Sequence, residues 1–388
     1  MSKSDANLRE WFGLRRDHYI LNPRTNIEDR RFYARRPESV QIDKQITDLE
    51  VDLAAKLSPK KLYWGVIGGG KTHTLYKILE ELGARLDIEV IFVECPVTKK
   101  SLNFSELYRK VLDAMGMDLV VNDLLRGVVS NVIQNVGILE PGKAEKELNK
   151  VLGYEDLARA SYTILTAGSE FNPLTMWRWL KAEEISSSER ESLRVSADLK
   201  TDPEILADIL ILLGRFMQER KNKTLVLVFD ELDRIHDASV DAKETFKAAF
   251  TKLTEPGQSY VSVFLCASAE SAVNVPELIS EAVEDRLKGD ISEIPTMTSN
   301  DVIPFVTDLV KYIRDPNADV SKLMRIAAKE TDETLDEDLY PFTREAVEAI
   351  KASCGDKKTP RAITKAMSKG VGRAMVRKKH IVSSKEIE

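Results

Sequence analysis

The chain has few of the residues that build zinc sites or disulfide frameworks. It contains three cysteines and four histidines in 388 residues. Cys95, Cys266 and Cys354 are scattered and form no C-x-x-C pair. This pattern argues against structural zinc and disulfides and favours a reducing compartment. The histidines show no metal-ligand spacing either.

Long apolar runs are also missing from the sequence. No stretch approaches the roughly 18 apolar residues that a membrane-spanning helix needs. The first residues, Met1–Asp5, are polar and lack the apolar centre of a signal peptide. These absences predict a cytoplasmic protein that makes no membrane contact.

An excess of positive charge is absent as well. The chain has 57 Lys and Arg against 63 Asp and Glu, a net charge of −6. No global field would therefore attract nucleic acid, and any such contact would need a local patch. One candidate is Lys357–Lys379, which contains many cations and no acid. This basic strip is either a solvated helix face or a surface that follows a phosphate backbone.

The sequence does contain a glycine-rich loop that fits G-x-x-x-x-G-K-[ST]. It follows a strand-like run, Leu62–Trp64, and precedes apolar residues at helical spacing in Leu75–Leu82. Backbone N–H groups of such a loop surround phosphate oxygens, while its lysine contacts the β- and γ-phosphates and its hydroxyl ligates Mg²⁺. The predicted nucleotide-binding residues are Gly65, Gly68, Gly69, Gly70, Lys71 and Thr72.

An apolar run, Leu225–Phe229, ends in two acids, Asp230 and Glu231. Acids at the tip of a buried strand lie beside the phosphate loop if the two strands are neighbours. Asp230 would then hold Mg²⁺ through water, and Glu231 would polarise the attacking water. Asp233 either caps the next helix or orients Arg234. Together the two motifs predict a protein that binds ATP with Mg²⁺ and hydrolyses it.

Three further polar residues are candidates for the nucleotide site because of their positions in the sequence. Ser268 follows a predicted strand and either contacts the γ-phosphate or the attacking water, or caps the strand end. Arg286 precedes the last strand and either enters a neighbouring subunit's nucleotide site or pairs with a nearby acid. Arg361 begins a helix after Thr359-Pro360 and either lies over the phosphates or is solvated.

In this order the motifs resemble those of the AAA+ ATPases. Gly65–Thr72 and Asp230-Glu231 resemble Walker A and Walker B, and Ser268, Arg286 and Arg361 match sensor 1, the arginine finger and sensor 2. The most similar clade contains initiator and helicase-loader ATPases related to origin recognition, transposition and secretion ATPases, and STAND signalling ATPases. The resemblance implies an α/β fold: an AAA+ P-loop domain with a parallel sheet, a helical insertion and a C-terminal helical lid.

The motifs also predict a division of the chain. Residues 1–58 form a leader and a helix, 59–297 the nucleotide-binding core with a helical insertion at about 116–220, and 298–388 the lid. The leader is rich in paired arginines: Arg15-Arg16, Arg30-Arg31 and Arg35-Arg36. The helix that follows it is predicted to be partly buried through Leu49, Val51, Leu53 and Leu57.

Three local segments resemble parts of particular relatives. Trp11–Leu14 resembles the leader of some transposition and secretion ATPases, and Trp177–Leu193 resembles ATPases of prokaryotic defence islands such as the BREX type. The ending Ile381–Glu388 resembles the end of the family's lid. The winged-helix DNA-binding domain of many initiators is therefore not expected.

The leading hypothesis is an AAA+ ATPase that acts as a homo-oligomer. Arg286 would complete a neighbour's site, and hydrolysis would remodel or regulate a partner that docks on the insertion, in anti-phage defence or a mobile element. One alternative is a slow STAND-type nucleotide switch that gates a partner effector. Another is a remodeller loaded on DNA through the basic strip, without sequence specificity.

Overall fold

The structure of the protein is a computed structural model, and it describes most of the chain. The described residues are 3–15, 28–29, 32, 39–97, 102–136, 141–168, 171–199, 202–269, 280–287, 289–356 and 358–387. Eight residues named above lie outside these ranges: Met1, Arg16, Arg30, Arg31, Arg35, Arg36, Lys357 and Glu388. Among the described helices, none is both long enough and apolar enough to cross a membrane.

Contacts along the chain define two compact units. The helical unit contains Met1–Thr47, Gly65–Glu81 and Glu293–Glu388. The sheet unit contains Asp48–Trp64 and Leu82–Ser292. Each unit has its own apolar core. The predicted boundaries at 58 and 297 stay a prediction.

A five-stranded parallel sheet confirms the predicted α/β fold class. Its strands are β1 Lys60–Gly65, β2 Ile88–Glu94, β3 Thr224–Asp230, β4 Val261–Ser268 and β5 Ile291–Glu293. Their spatial order is β2-β3-β4-β1-β5. The register pairs Glu94 of β2 with Asp230 of β3, so these two strands end side by side.

Strand β3 is the most deeply buried strand, because neighbours cover both its edges and both its faces. Every residue of β3 is buried, and β2 and β4 pair with it in parallel. Strands covered on both faces are expected to be apolar throughout rather than alternating. The continuous apolar run ahead of Asp230 is therefore explained by its central position.

Most of the described residues between β2 and β3 are helical, as predicted for the insertion. The α-helices there are α4 Phe104–Met115, α5 Arg126–Val136, α6 Pro141–Leu152, α7 Glu155–Thr166, α8 Pro173–Leu180, α9 Ser187–Leu193 and α10 Pro203–Lys221. A π-helix, Asp118–Leu125, joins α4 to α5. Runs of π-helix are rare in proteins, and nothing in the sequence predicted this one.

Helix α10 packs closely on the sheet because a glycine faces it. A Cβ atom at Gly214 would lie 2.4 Å from Val261 Cγ2 and 2.6 Å from the Tyr260 carbonyl oxygen. A side chain at this position would push the helix from the strand. The tryptophans of α8 are also packing residues: Trp179 is fully buried, and its Nε1 donates to the Ala197 carbonyl at 3.1 Å.

Three further elements complete the sheet unit: a 3-10 helix at Leu232–Asp237, α11 Val240–Leu253 and α12 Glu281–Arg286. Helix α3, Lys71–Gly83, lies almost entirely in the helical unit. The 3-10 helix follows β3 directly, so the acids at the end of β3 are joined to it without a flexible loop.

The helical unit is built from the two ends of the chain and the segment after β1. Its helices are α1 Lys3–Phe12, most of α2 Ser39–Ala54, α13 Val302–Ile313, α14 Val320–Ala327, α15 Arg344–Ser353, α16 Pro360–Val376 and α17 Ser384–Ile387. Leu8, Phe12 and Leu14 are buried in the core that the C-terminal helices form. The Tyr340 hydroxyl donates to the Trp11 carbonyl at 2.8 Å.

Helix α2 confirms the predicted helix, but only half of its predicted apolar contacts. Leu49 and Leu53 are buried, whereas Val51 is 63% exposed and Leu57 55% exposed. Leu49 and Leu53 are four residues apart and share one helix face, and Val51 points away from it. Leu57 was predicted to be buried, but it lies beyond the helix end at Ala54.

Candidate nucleotide site

The glycine-rich loop connects strand β1 to helix α3, which is the context that its sequence pattern predicts. Strand β1 ends at Gly65, and α3 begins at Lys71. Within the loop the Gly69 N–H donates to the Val66 carbonyl at 3.0 Å. The loop is thus a tight turn of main chain that leads into the positive end of a 13-residue helix.

Two of the loop glycines are required by their surroundings. Gly68 has a φ of +76°, in the left-handed region that favours glycine, and a Cβ atom there would lie 2.8 Å from Arg361 Cβ. At Gly65 a Cβ atom would lie 2.5 Å from the Ile294 carbonyl oxygen. The main chain therefore approaches its neighbours too closely for any side chain.

Lys71 places its ammonium group inside the loop. The side chain is buried, and Nζ donates to the carbonyl oxygens of Gly65 at 3.1 Å and Val66 at 3.0 Å. Thr72, in the first turn of α3, is half-buried. A glycine-built turn, a lysine ammonium and a helix N-terminus together form a site that fits the phosphates of a nucleotide.

Arg361 lies against the loop, within the same helical unit. Helix α16 begins as the sequence predicts: the Thr359 hydroxyl accepts the Ala362 N–H at 3.2 Å, and Pro360 is the first helical residue. The Arg361 N–H faces the Gly68 carbonyl at 3.4 Å. Its side chain is exposed. The structure thus brings Arg361 to the glycine-rich loop, and its role toward phosphate stays a prediction.

The acids at the end of β3 are held by main-chain hydrogen bonds. Asp230 is 2% exposed, and its Oδ1 accepts the Glu231 N–H at 2.8 Å. The Asp230 carbonyl accepts the Cys95 N–H at 2.9 Å, which ties the end of β3 to the end of β2. Burial raises the pKa of the Cys95 thiol to about 12, so this cysteine is neutral at physiological pH.

Glu231 is oriented by an unusual backbone and by an arginine. Its φ is +59°, in the left-handed region that non-glycine residues rarely adopt. Its carboxylate contacts the Arg234 guanidinium three residues later. The same guanidinium donates to the Cys95 carbonyl and lies 3.9 Å from the Glu94 carboxylate. The sequence did not indicate the contacts with β2.

Asp233 joins the 3-10 helix to the end of strand β4. Its Oδ1 accepts the Ser268 N–H at 2.9 Å. Neither of the roles left open for Asp233, helix cap or partner of Arg234, includes this bond. It holds Ser268 close to the acids at the end of β3, where sensor 1 is expected. Because Asp233 and Ser268 are 35 residues apart, no local sequence pattern predicts this hydrogen bond.

Arg286 ends helix α12 and is held by its own chain. The guanidinium donates to the Thr251 carbonyl at the end of α11. The segment 270–279 between β4 and α12 lies outside the described residues. The arginine-finger role of Arg286 stays a prediction.

Asp29 is a residue of the leader that sequence reasoning missed. It is 2% exposed, and its carbonyl lies 2.8 Å from His73 Nε2, two residues after Lys71. The Tyr312 hydroxyl donates to its carboxylate at 3.0 Å. The leader therefore reaches the first turn of α3 within the helical unit.

Comparison with solved structures gives relatives at low identity. ORC2 from Aeropyrum pernix, with ADPNP and ADP, is 12% identical with a TM-score of 0.50, over 94% of this chain and 70% of that chain. ORC1 from the same organism, in complex with DNA, is 12% identical with a TM-score of 0.46, over 92% and 64%. Cdc6p from Pyrobaculum aerophilum is 10% identical with a TM-score of 0.43, over 91% and 66%. The chain thus spans less than two thirds of ORC1 and Cdc6p.

The fold is that of the AAA+ P-loop ATPases, and of their origin-recognition type, as the order of the motifs predicts. No family model matches the sequence, and no curated protein matches it. At 12% identity the likeness shows the fold alone. The resemblance to defence-island ATPases finds no support in these comparisons and stays a prediction.

Proposed function

We propose that this protein is an ATPase that binds ATP at the glycine-rich loop and hydrolyses it. The observation that carries the proposal is the buried Lys71 ammonium, within about 3 Å of the loop carbonyls between β1 and α3. A lysine held in a glycine turn at a helix N-terminus has the charge and donors that recognise a triphosphate. The similar ORC2 structure contains ADPNP and ADP.

The catalytic groups follow from where the strands end. Strands β1, β3 and β4 belong to one parallel sheet, and ligands of such sheets bind beyond the carboxyl ends of the strands. Gly65, Asp230 and Ser268 each end one of these strands. We assign Asp230 and Thr72 to hold Mg²⁺, which would neutralise phosphate charge when bound.

Glu231 is the proposed general base. Its carboxylate would accept a proton from the attacking water, for which it must be ionised and correctly oriented. Ser268 would orient the same water or contact the γ-phosphate. Arg361 would add positive charge from helix α16 over the loop. The bond from Ser268 to Asp233 supports a shared site for sensor 1 and the base.

We propose further that the active form is a homo-oligomer in which Arg286 completes the site of the next subunit. Hydrolysis would then rearrange subunits and remodel a partner docked on the helical insertion. The cytoplasmic location and a setting in defence or a mobile element rest on the sequence alone.

A mixing experiment tests the shared site. Lys71→Ala and Arg286→Ala subunits should each be inactive alone, and mixing them should restore ATP hydrolysis. At equal amounts about one quarter of the interfaces would combine an intact loop with an intact Arg286. Steady-state ATPase assays over a range of ratios measure the recovery.

Arg85→Ala is the matched control, because Arg85 forms an exposed ion pair with Glu50 at 2.7 Å in the same unit. This variant should retain full activity. An absence of recovery at every ratio would refute the role of Arg286 between subunits. Full activity of Arg286→Ala alone would refute any catalytic role for it.

A second candidate function is binding of DNA along helix α16. Exposed cations recur every fourth residue along it: Arg361, Lys365, Lys369 and Arg373, with Arg377 directly after its last residue, Val376. Each cation neighbours the next on the helix surface, and because four residues turn the helix by about 400°, the row winds gradually around α16. The last two are pre-ordered by α17, since Arg373 donates to the Glu386 carbonyl at 2.8 Å and Arg377 pairs with the Glu386 carboxylate at 2.8 Å. The similar ORC1 structure is in complex with DNA.

Salt dependence tests this second function. Duplex DNA should bind, and the affinity should fall steeply with salt because counterions are released. Replacing Lys365 and Lys369 with glutamine should reduce the slope of log K against log salt by about 2. The control removes two exposed lysines elsewhere in the helical unit, Lys322 and Lys329, and should leave the slope unchanged. Binding without salt dependence would exclude the basic strip as a DNA surface.

A further inference from the structure

The C-terminal half of helix α16 carries a groove that combines positive charge with apolar surface. The groove has a volume of about 430 Å³ and is lined by Lys369, Gly372, Arg373, Val376 and Arg377. Successive lining residues are one, three or four positions apart, so the groove follows the surface of a single helix. None of the described residues that line it is acidic. The groove is therefore a cationic surface within the helical unit.

Two of the lining cations are held in place by the C-terminal helix α17. Arg373 Nη1 donates to the carbonyl oxygens of Glu386 at 2.8 Å and Ile387 at 2.9 Å. Arg377 Nη1 donates to the Glu386 carboxylate at 2.8 Å. Within the described part of the chain these bonds use only Nη1, so Nε and Nη2 of each guanidinium remain as donors for a ligand. Holding both groups in advance reduces the entropy that binding an anion would cost.

Gly372 keeps the groove open, although no close contact requires a glycine at this position. A Cβ atom at Gly372 would meet nothing within 4 Å among the described residues beyond its own part of the helix. At Gly370, by contrast, a Cβ atom would lie 2.6 Å from Ile387 Cδ1. Glycine within a helix is less stable than alanine. Gly372 therefore destabilises α16 without relieving a clash, and it leaves a gap beside Val376 that a ligand side chain can enter.

Val376 gives the groove an apolar side. Its side chain is 84% exposed, more than any other large apolar residue in the described part of the chain. A phosphate backbone gains little from contact with a valine, whereas an apolar side chain of a protein would remove the valine from water. The lysine and the two arginines around it complement carboxylates. The lining thus favours a protein segment that carries both acids and an apolar residue.

We propose that this groove docks an acidic segment of a partner protein. Carboxylates of the segment pair with the three cations, and one of its apolar side chains lies over Gly372 against Val376. An acidic amphipathic helix has the required composition, because acids and apolar residues three or four positions apart are neighbours on its surface. The inference does not depend on ATP hydrolysis. It adds a partner surface in the helical unit, and it gives the end of α16 a protein ligand rather than DNA.

Binding of a synthetic peptide tests the docking site. The probe is a fluorescein-labelled helical peptide of about 16 residues built from glutamate and leucine, and fluorescence anisotropy measures its Kd. The wild-type protein should bind it with a Kd of roughly 100 μM or lower. Two control peptides have serine in place of leucine or glutamine in place of glutamate. Each should bind about tenfold more weakly, because it lacks the apolar or the charged half of the contact.

Two uncharged changes in the groove separate docking from general electrostatic attraction. Gly372→Leu fills the gap and should weaken peptide binding about tenfold or more. Its thermal unfolding temperature should not fall, because the site has room for a Cβ atom and leucine favours a helix more than glycine does. Val376→Ser should weaken binding about tenfold through lost apolar burial. Ile326→Ser, which changes an exposed apolar residue of α14, is the matched control and should bind as the wild type does.

The same variants decide between a protein ligand and DNA. Any binding of duplex DNA should be equal in the wild type, Gly372→Leu and Val376→Ser, because neither change alters the charge of the basic strip. Equal weakening of peptide and DNA binding in both variants would assign the groove to DNA and overturn the inference. It would also be overturned if the wild type binds no peptide at about 1 mM, or if neither variant weakens the binding. If Gly372→Leu does not fold, Val376→Ser decides by the same criteria.

Discussion

Replacing Lys71 with alanine should weaken ATP binding by roughly 100-fold or more, because the change removes a buried ammonium from the phosphate site. The group lies inside the loop, within hydrogen-bond distance of the Gly65 and Val66 carbonyls. Nothing nearby on α3 can replace its charge at the same place. Titration with a fluorescent ATP analogue measures the loss directly.

Lys77→Ala is the matched control for this variant. Lys77 lies on the same helix, about 1.7 turns further on, and forms an ion pair with Glu81 at 2.7 Å. Its loss should leave ATP affinity unchanged. Wild-type ATP affinity in Lys71→Ala would show that the glycine-rich loop is not a phosphate site. The proposed function would then be refuted.

Replacing Glu231 with glutamine should abolish turnover while ATP still binds. Glutamine keeps the shape of the side chain but cannot accept a proton from water, and the loss of a general base lowers kcat by roughly 100-fold or more. ATP affinity should remain near that of the wild type, because Lys71 and the glycine-rich loop are unchanged. Single-turnover hydrolysis and equilibrium binding measure the two effects separately.

Glu244→Gln is the control here, since Glu244 pairs with Lys247 on the exposed side of α11 at 2.8 Å. It should hydrolyse ATP normally. Hydrolysis by Glu231→Gln at the wild-type rate would show that Glu231 is not the base. If the wild type itself is slow and Glu231→Gln scarcely alters it, the nucleotide-switch hypothesis is favoured over the remodelling ATPase.

The elements around the phosphate loop could be predicted because their signals are local. Strand β1, the loop and α3 are contiguous, and the glycines between them serve one short turn. The start of α16 could also be predicted from sequence, because the Thr359 cap and Pro360 both lie within its first turn. The order of the motifs along the chain was then sufficient to predict the α/β fold class.

The contacts that organise the acidic strand end could not be predicted in this way. The bond from Ser268 to Asp233 and the approach of Arg234 to Glu94 each join separate strands. The contact between Asp29 and His73 likewise joins the leader to α3. Contacts between residues so far apart have no short-range sequence pattern. They can be identified only from the tertiary structure.

The sequence by itself determined that this protein has a glycine-rich loop between a strand and a helix, a buried acidic strand and an α/β fold. These features depend on residue type and short-range spacing, so they can be predicted without the tertiary structure. Only the tertiary structure decided that Arg361 contacts the loop at Gly68, that Ser268 is held by Asp233, and that Arg234 lies between Glu231 and Glu94. Each depends on how distant segments pack, because a side chain finds its partners only after the sheet and helices have placed them.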